Sequence, residues 1–527
     1  MTNPQTHHYV PIFNLVGALL LCLPLLNSCG TNPVTGETEL QLVSERQEVN
    51  IGRENYVPTV QSQGGPYVVD KELSRYVSSV GQKLAKVSDR PDLPYEFTVL
   101  NNSVPNAWAL PGGKISVNRG LLLQLNNEAE LAAVLSHEIV HAAARHGAQS
   151  MERGVLLNAG IVGLGIAAGD KDNADLMLGA AAFGSQLVNQ KYGRDAELEA
   201  DKYGMKYMAK AGYDPAAAIE LQKTFVKLSR GKQPNWLEGL FASHPPSQER
   251  VDENIKTARQ LNVKGITNKE VYQQKIAHLK KSEPAYEKYE DAKQALKSND
   301  TTKAMSLLNE AITIEPREGL FHALKGDIHY NDKKYSQAEQ AFDKAVNLNP
   351  QFFLFYLERG LAREKLQQYN KSRTDLEKSI ALLPTAPAHH ALGNIALESK
   401  NTQAAKEHFA KAASSDSTVG RESAEQLARL ELPKNPDKYF SYQGKTDSAG
   451  TVIVDIKNKS PLTVDNLEVI VGLYTGAGAL VFRDRYQLSR KIAANADVAI
   501  NTGVSANALG KNGQIKVDIV RANIADQ

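Results

Sequence analysis

Apolar residues recur with the spacing of α-helices along most of the chain. After a polar segment at residues 30–41, this pattern continues to about residue 429, and one strand-like segment, residues 95–117, interrupts it. From about Pro433 onward, apolar and polar residues alternate, which is typical of half-buried strands. The sequence therefore predicts a mainly α-helical protein with a small all-β domain, a sandwich, at its C-terminal end. The alternating apolar residues are Val452, Val454, Ile456, Leu467, Val469, Val471, Leu473, Ile515, Val517 and Ile519.

Prolines end three helix-like segments at a constant interval. Pro316, Pro350 and Pro384 follow one another at steps of 34 residues, and small residues keep nearly the same interval. A period of this length, with small residues where two helices pack closely and a proline that closes each unit, resembles the tetratricopeptide repeat. We predict four helical hairpins over residues 283–417 and a capping helix over residues 420–429, with an irregular helical bundle as the alternative. The small residues are Ala292, Gly326, Gly360 and Gly393.

The N-terminal segment has the pattern of a bacterial export signal. Residues 15–26 are almost uniformly apolar and lead into residues 27–30 (Asn-Ser-Cys-Gly), which resemble a lipoprotein cleavage motif. The resemblance implies cleavage before Cys29, a lipid on this cysteine and, because Gly30 rather than Asp follows it, sorting to the outer membrane. We expect the mature chain to face the periplasm, anchored by lipid. A transmembrane anchor is the alternative, but Pro24 and an apolar run shorter than the ~20 residues of a bilayer span argue against it.

Composition narrows the classes of protein that remain. The chain has 527 residues, of which 42% are hydrophobic and 23% are charged, and at roughly 100–200 residues per domain it holds several globular domains. Its net charge of +2 gives no general attraction to nucleic acid. The only cysteines are Cys22 and Cys29, so a disulfide framework and a cysteine-ligated zinc site are excluded for the rest of the chain.

One short motif carries the candidate chemistry. Residues 137–141 read His-Glu-Ile-Val-His and lie inside a predicted helix. One helical turn separates His137 from His141, so both imidazoles project from one face and can bind the same ion. Glu138 lies about 100° round the helix from His137, where it borders the ion as a general base for a water molecule. This spacing is typical of a zinc hydrolase.

A hydrolytic zinc site needs a third protein ligand, and a later acidic helix supplies candidates. Glu197 and Asp201 lie one turn apart, so one can bind the metal while the other accepts a hydrogen bond from a ligating histidine. A solvated acidic face is the alternative, and we assign Glu199 to solvent or to a structural role.

Two apolar segments precede this helix, residues 155–169 and 178–183. Both are shorter than the ~20 residues of a bilayer span, so a packed hairpin or lid is predicted, with a membrane-inserted hairpin as the alternative.

Taken together, these motifs resemble the gluzincin metalloprotease family of HtpX, the CAAX prenyl protease and BepA. The shared features are the His-Glu-x-x-His motif followed by an Arg-His pair, the Glu-x-Glu-Ala-Asp run at residues 197–201, the Ser-His-Pro-Pro-x-x-x-Arg run at residues 243–250, and residues 106–122. The resemblance covers about residues 45–429, and the lipoprotein motif and the repeats favour the BepA-like periplasmic members. The C-terminal β domain lies outside it.

The resemblance implies a role for each residue of the predicted metal site. It assigns zinc to His137, His141 and Glu197. It assigns the general base to Glu138. Asp201 is then left to hold a ligating histidine.

The resemblance also implies roles for residues beyond the metal ligands. His244 can take the fourth zinc position at rest and move away, although a surface histidine without a role is the alternative. Arg250 is expected to help stabilise the oxyanion. We interpret His146 as structural, at a helix end where a cation is favourable. The edge strand expected to pair with an extended substrate comprises Asn106, Ala107, Trp108 and Ala109.

The predicted fold is multidomain, with a mainly α zincin-type metalloprotease domain, an α-solenoid of tetratricopeptide repeats and a C-terminal β-sandwich.

The expected function is that of a zinc-dependent endopeptidase, with one Zn²⁺ per chain and Glu138 acting on the zinc-activated water. It would cleave misfolded or stalled outer-membrane proteins, while the repeats recruit these unfolded polypeptides or the assembly machinery. No nucleic-acid partner is expected. The alternative is a non-catalytic or conditionally active assembly chaperone or scaffold that acts through the repeats. The expected domains are a signal peptide (1–28), a lipidated tether (29–44), a metallopeptidase domain (45–265), a repeat domain (283–430) and an all-β domain (435–527).

Overall fold

The computed structural model describes residues 29–158, 186–188, 190–230 and 239–525. These residues form two compact units. The first unit holds the described residues up to 328 together with 340–353, and the second holds residues 329–339 and 354–525. The predicted signal peptide and the predicted lid beyond residue 158 lie outside the described residues. Among the described helices, none combines the length and the apolar composition needed to cross a membrane.

The segment predicted as a polar tether is folded in its first part. β1 (Cys29–Thr31) and β2 (Thr38–Leu40) form an antiparallel hairpin. Its turn contains Gly36 at φ 77°, a left-handed conformation that glycine adopts without steric cost. Helices α1 (Glu45–Ser62) and α2 (Lys71–Ala85) follow, and each begins at a polar side chain that accepts hydrogen bonds from the first turn.

The strand-like segment of the sequence forms a three-stranded sheet. Its strands are β3 (Glu96–Leu100), β4 (Ala107–Leu110) and β5 (Lys114–Asn118). β5 lies in the middle, parallel to β3 and antiparallel to β4. β4, which contains most of the residues expected to pair with substrate, is therefore an edge strand of this sheet.

Helices make up most of the rest of the first unit. The helix with the His-Glu-x-x-His motif begins at Asn127, whose side-chain oxygen accepts a hydrogen bond from the Glu130 amide at 3.0 Å. All 16 residues of this helix are buried. A Cβ on Gly204 of the acidic helix would lie 3.1 Å from Ser136 Oγ, so glycine lets the two helices approach closely. The helices are α3 (Arg119–Leu122), α4 (Glu128–Ala143, the motif helix), α5 (His146–Asn158), α6 (Arg194–Lys210, the acidic helix), α7 (Ala216–Arg230), α8 (Leu240–Ser243), α9 (Gln248–Leu261) and α10 (Lys269–Lys275).

The regular elements of the region with the 34-residue period are all α-helices. The small residues of the repeat lie against large side chains, as the repeat requires. A Cβ on Gly326 would lie 2.5 Å from the Phe342 ring, and a Cβ on Gly393 would lie 2.5 Å from the Phe409 ring. The helices are α11 (Ala277–Lys297), α12 (Thr301–Ile314), α13 (Gly319–Asn331), α14 (Tyr335–Leu348), α15 (Phe353–Lys365), α16 (Tyr369–Leu382), α17 (Ala386–Glu398), α18 (Thr402–Ala412) and α19 (Thr418–Glu431).

The C-terminal region contains two three-stranded antiparallel sheets. In the first, β7 (Thr451–Asn458) lies between β6 (Phe440–Thr446) and β10 (Asp497–Ser505). In the second, β8 (Val464–Tyr474) lies between β9 (Leu480–Leu488) and β11 (Gln514–Ile524). The alternating apolar residues of β7 and β8 point into one shared apolar core, which explains the period of two in the sequence. The predicted fold class, mainly α with a strand-rich C-terminal region, is confirmed.

Candidate metal centre

Four buried side chains from three helical segments converge on one point. His137 and His141 lie one turn apart on α4, and their Nε2 atoms are 3.0 Å apart. Glu197 on α6 places Oε1 3.4 Å from His141 Nε2. His244, directly after α8, places Nδ1 3.0 Å from Glu197 Oε1 and 3.3 Å from His137 Nε2. One ligand atom from each of the four residues lies within 4.8 Å of the others, so the group can hold a metal ion.

The chemistry of this group fits zinc. Imidazole nitrogens and a carboxylate oxygen are the ligands that zinc uses where cysteine is absent. Burial disfavours charge on His137, but the carboxylates of Glu197 and Asp201 raise its pKa to about 10. Burial, together with the neighbouring His137 and His146, holds the pKa of His141 well below its usual value. The carboxylates thus favour a positive charge at the point of convergence, and His141 is in the neutral form that binds metals.

Glu138 borders this point without joining the four converging atoms. Its Oε1 lies 3.6 Å from His244 Nε2, and its Oε2 is buried with no hydrogen-bond partner among the described residues. Burial raises the pKa of Glu138, while His244 and His137 oppose that rise. A buried carboxylate oxygen with an unused acceptor site and a raised pKa suits a group that takes up and releases a proton.

Asp201 and Arg250 contact two of the four converging residues. Asp201 Oδ1 lies 2.9 Å from His137 Nδ1, which is the placement predicted for it. Arg250 donates to both Asp201 oxygens at 2.7 Å and lies 2.7 Å from Glu197 Oε2. The guanidinium is therefore engaged by two carboxylates, and its expected contact with an oxyanion stays a prediction.

Three residues near His141 were not assigned to the site from sequence. The ring of Tyr192 stacks on the ring of His141 at 3.9 Å between centroids. His146 Nδ1 lies 2.8 Å from His141 Nδ1, and Glu199 Oε1 lies 3.4 Å from His146 Nε2. The helical spacing of α4 gives no signal for these contacts, because Arg145 at φ 63° ends that helix and turns the chain before His146.

The strand expected to bind substrate is covered. All four residues of β4 are buried. Trp108 and Leu110 share an apolar cluster with Leu187 and Val188, which come from the described helical turn at residues 186–188. Asn106 directly precedes the strand and is also buried. Pairing of this edge with an extended substrate stays a prediction.

Comparisons with known proteins agree with both sequence patterns. The family model "Peptidase family M48" matches residues 71–258, and the tetratricopeptide repeat model matches residues 321–352 and 386–418. The chain is 25% identical over 432 residues to the beta-barrel assembly-enhancing protease of Escherichia coli (strain K12), with 72% of this chain and 86% of the relative covered.

Two further relatives match a shorter part of the chain. The chain is 30% identical over 186 residues to the metalloprotease YcaL of Escherichia coli (strain K12), with 33% of this chain and 68% of the relative covered. It is 37% identical over 177 residues to the mitochondrial metalloendopeptidase OMA1 of Schizosaccharomyces pombe, with 33% of this chain and 50% of the relative covered. The prediction of a repeat-containing metalloprotease is therefore confirmed.

Proposed function

Since the chain belongs to peptidase family M48, we propose that it is a periplasmic zinc endopeptidase that cleaves misfolded or stalled outer-membrane proteins. The family and the buried His/Glu cluster identify a metalloendopeptidase that uses zinc. One observation carries the proposal furthest: the ligand atoms of His137, His141 and Glu197 converge beside Glu138. The buried Oε2 of Glu138 has no hydrogen-bond partner in the described part of the chain. This is the arrangement that metal-assisted hydrolysis of a peptide bond uses.

The metal ligands and the general base have separate roles in the proposed mechanism. His137, His141 and Glu197 would hold the zinc, which when bound lowers the pKa of a water molecule and polarises a carbonyl. Glu138 accepts a proton at Oε2 from the water that attacks the peptide carbonyl, and then donates it to the leaving amine nitrogen. Asp201 accepts a hydrogen bond from His137 Nδ1 and so keeps Nε2 available.

His244 makes the proposed activity conditional. A catalytic zinc site keeps one position open for water and substrate, but His244 Nδ1 lies among the other ligand atoms. We assign to His244 the resting fourth position, so this side chain must leave before catalysis.

The repeats and the lipid would bring substrate to the site. The name of one relative, beta-barrel assembly-enhancing protease, leads us to propose that the repeats bind outer-membrane assembly machinery or its clients. We further propose that Cys29 carries the lipid that anchors the chain to the outer membrane. The peptidase domain at residues 45–265 then acts on unfolded chains that the repeat domain at residues 283–430 recruits.

The decisive experiment separates metal binding from proteolysis. Glu138→Gln should keep one zinc per chain, measured by elemental analysis, and should lose digestion of a loosely folded substrate such as casein. Glu253→Gln is the control: this side chain is 45% exposed and pairs with Lys256, so the variant should digest at the wild-type rate. Wild-type digestion by Glu138→Gln would refute the assignment of the base.

A second variant tests the alternative of a chaperone or scaffold, which the closed position of His244 favours. His244→Ala should digest casein faster than wild type if the histidine gates an enzyme. If neither protein digests any substrate while both prevent aggregation of an unfolded outer-membrane protein, the chaperone is the better description.

A further inference from the structure

The two ring nitrogens of His141 contact two different groups. Nε2 faces the convergence point, 3.0 Å from His137 Nε2. Nδ1 faces away from it and lies 2.8 Å from Nδ1 of His146. The second nitrogen of the proposed metal ligand therefore has a dedicated partner, which is itself a buried histidine with a side chain only 3% exposed.

The contacts continue from His146 to a carboxylate. His146 Nε2 lies 3.4 Å from Glu199 Oε1, and Asn32 Nδ2 donates to the same oxygen at 3.4 Å. Glu199 is on α6, the helix that also supplies Glu197 and Asp201. The resulting path runs from the N-terminal hairpin through Glu199 and His146 to His141.

One arrangement of hydrogen atoms satisfies every contact on this path. To bind a metal through Nε2, His141 must carry its hydrogen on Nδ1, which then donates to His146 Nδ1. The His146 hydrogen is then on Nε2 and points at the Glu199 carboxylate. In the reverse arrangement His141 carries its hydrogen on Nε2 and cannot bind metal, while the lone pair of His146 Nε2 faces the carboxylate. Glu199 therefore favours the metal-binding form of His141.

The two histidine ligands are thus supported in two different ways. Asp201 contacts His137 Nδ1 directly, at 2.9 Å, whereas Glu199 reaches His141 only through His146. The contact between His146 and His141 depends on the backbone at Arg145. The left-handed conformation of Arg145, at φ 63°, turns the chain so that His146 lies beside the end of α4. Arg145 is held in place by Glu48 Oε2 at 3.2 Å.

We propose that His146 and Glu199 are positioning residues that fix the tautomer and the ring orientation of the metal ligand His141. The proposal rests on the proposed zinc site. It gives Glu199 a more specific role than the solvent or structural role that the sequence suggested. Partners of this kind typically change metal affinity by about 10-fold to 100-fold when they are removed.

The test measures zinc affinity, not proteolysis. The zinc dissociation constant of the full chain is determined by competition with a chromophoric chelator for the wild type, His146→Phe, Glu199→Leu and Glu199→Gln. We expect about 10-fold to 100-fold weaker binding for His146→Phe and Glu199→Leu. Glu199→Gln should lose much less, because its amide oxygen still accepts from His146 Nε2. Asp195→Leu, on the exposed face of the same helix, is the matched control and should bind zinc as the wild type does.

The pattern of losses separates positioning of His141 from a general effect of negative charge near the metal. Equal losses for Glu199→Gln and Glu199→Leu would indicate an effect of charge alone and would overturn the proposal, as would unchanged affinity in both His146→Phe and Glu199→Leu. The visible spectrum of the cobalt-substituted protein should also shift in His146→Phe, since the ligand field depends on the orientation of His141. If His146→Phe does not fold, the two variants of the partly exposed Glu199 decide. The affinity readout is independent of the proposed proteolysis, because Glu138→Gln should lose digestion with no change in zinc affinity.

Discussion

Replacement of Arg250 by leucine should destabilise the peptidase domain strongly. The guanidinium contacts Asp201 and Glu197 at 2.7 Å, and the three side chains are 9%, 10% and 3% exposed. Arg250→Leu removes the positive charge but leaves two buried carboxylates in place. Breaking a buried ion pair from one side costs about 3–5 kcal/mol, because the remaining charge keeps its desolvation penalty. We expect a loss of that size in the metal-free protein.

Arg194, the first residue of α6, provides a matched control. Arg194 donates to Glu249 Oε2 at 2.8 Å with similar chemistry, but its side chain is 66% exposed. Water and salt screen this pair, so Arg194→Leu should cause little measurable change. The comparison isolates the effect of burial from that of removing an arginine.

Urea unfolding in the presence of a chelator measures both variants. The chain has two tryptophans, and a Trp236→Phe background leaves Trp108, which is 2% exposed, as the fluorescent reporter of the peptidase domain. A loss below about 1 kcal/mol for Arg250→Leu, the range of an exposed pair, would refute the reasoning. Equal losses for Arg250→Leu and Arg194→Leu would refute it as well.

Three other outcomes follow from the contacts. Gly204→Val should lower the stability of the peptidase domain by about 1–3 kcal/mol in the same urea assay, because its Cβ would lie 3.1 Å from Ser136 Oγ. Gly393→Leu should lower the unfolding temperature of the repeats, since the Phe409 ring lies 2.5 Å from the Cβ position. Burial raises the pKa of Asp327 from 3.8 to about 7, so the folded state favours its protonated form. The contribution of this one carboxyl group to the free energy of unfolding is therefore lost as the pH rises through its raised pKa. Asp327→Asn should remove this decline, measured by calorimetry at about pH 5 and about pH 8.

The parts of the site that the sequence predicts are those with a local period. His137 and His141 follow from the helical spacing, and so does the shared face of Glu197 and Asp201. The 34-residue interval is a local pattern of the same kind, because each glycine of the repeat needs only its neighbouring helix. Such patterns can be read before any tertiary contact is known.

The other parts depend on how distant segments meet. Glu199 follows Glu197 by two residues and points elsewhere on a helix, so the sequence favours solvent for it. Only the approach of α6 to the end of α4 brings it to His146. Tyr192 lies outside any regular element, and its stacking on His141 has no sequence signal. The bidentate contact of Arg250 with Asp201 likewise joins residues on two helices.

The N-terminal hairpin connects the proposed lipid to the metal site. Glu152 Oε1 accepts hydrogen bonds from the amides of Leu42 and Val43 at 3.0 and 2.9 Å, and Asn32 donates to Glu199 at 3.4 Å. Asn32 follows Cys29 by three residues, and three residues span at most about 11 Å. A lipid on Cys29 would therefore hold the peptidase domain close to the bilayer surface instead of on a long flexible linker. Under the proposed function, the substrates that reach the site would then be chains held at that surface.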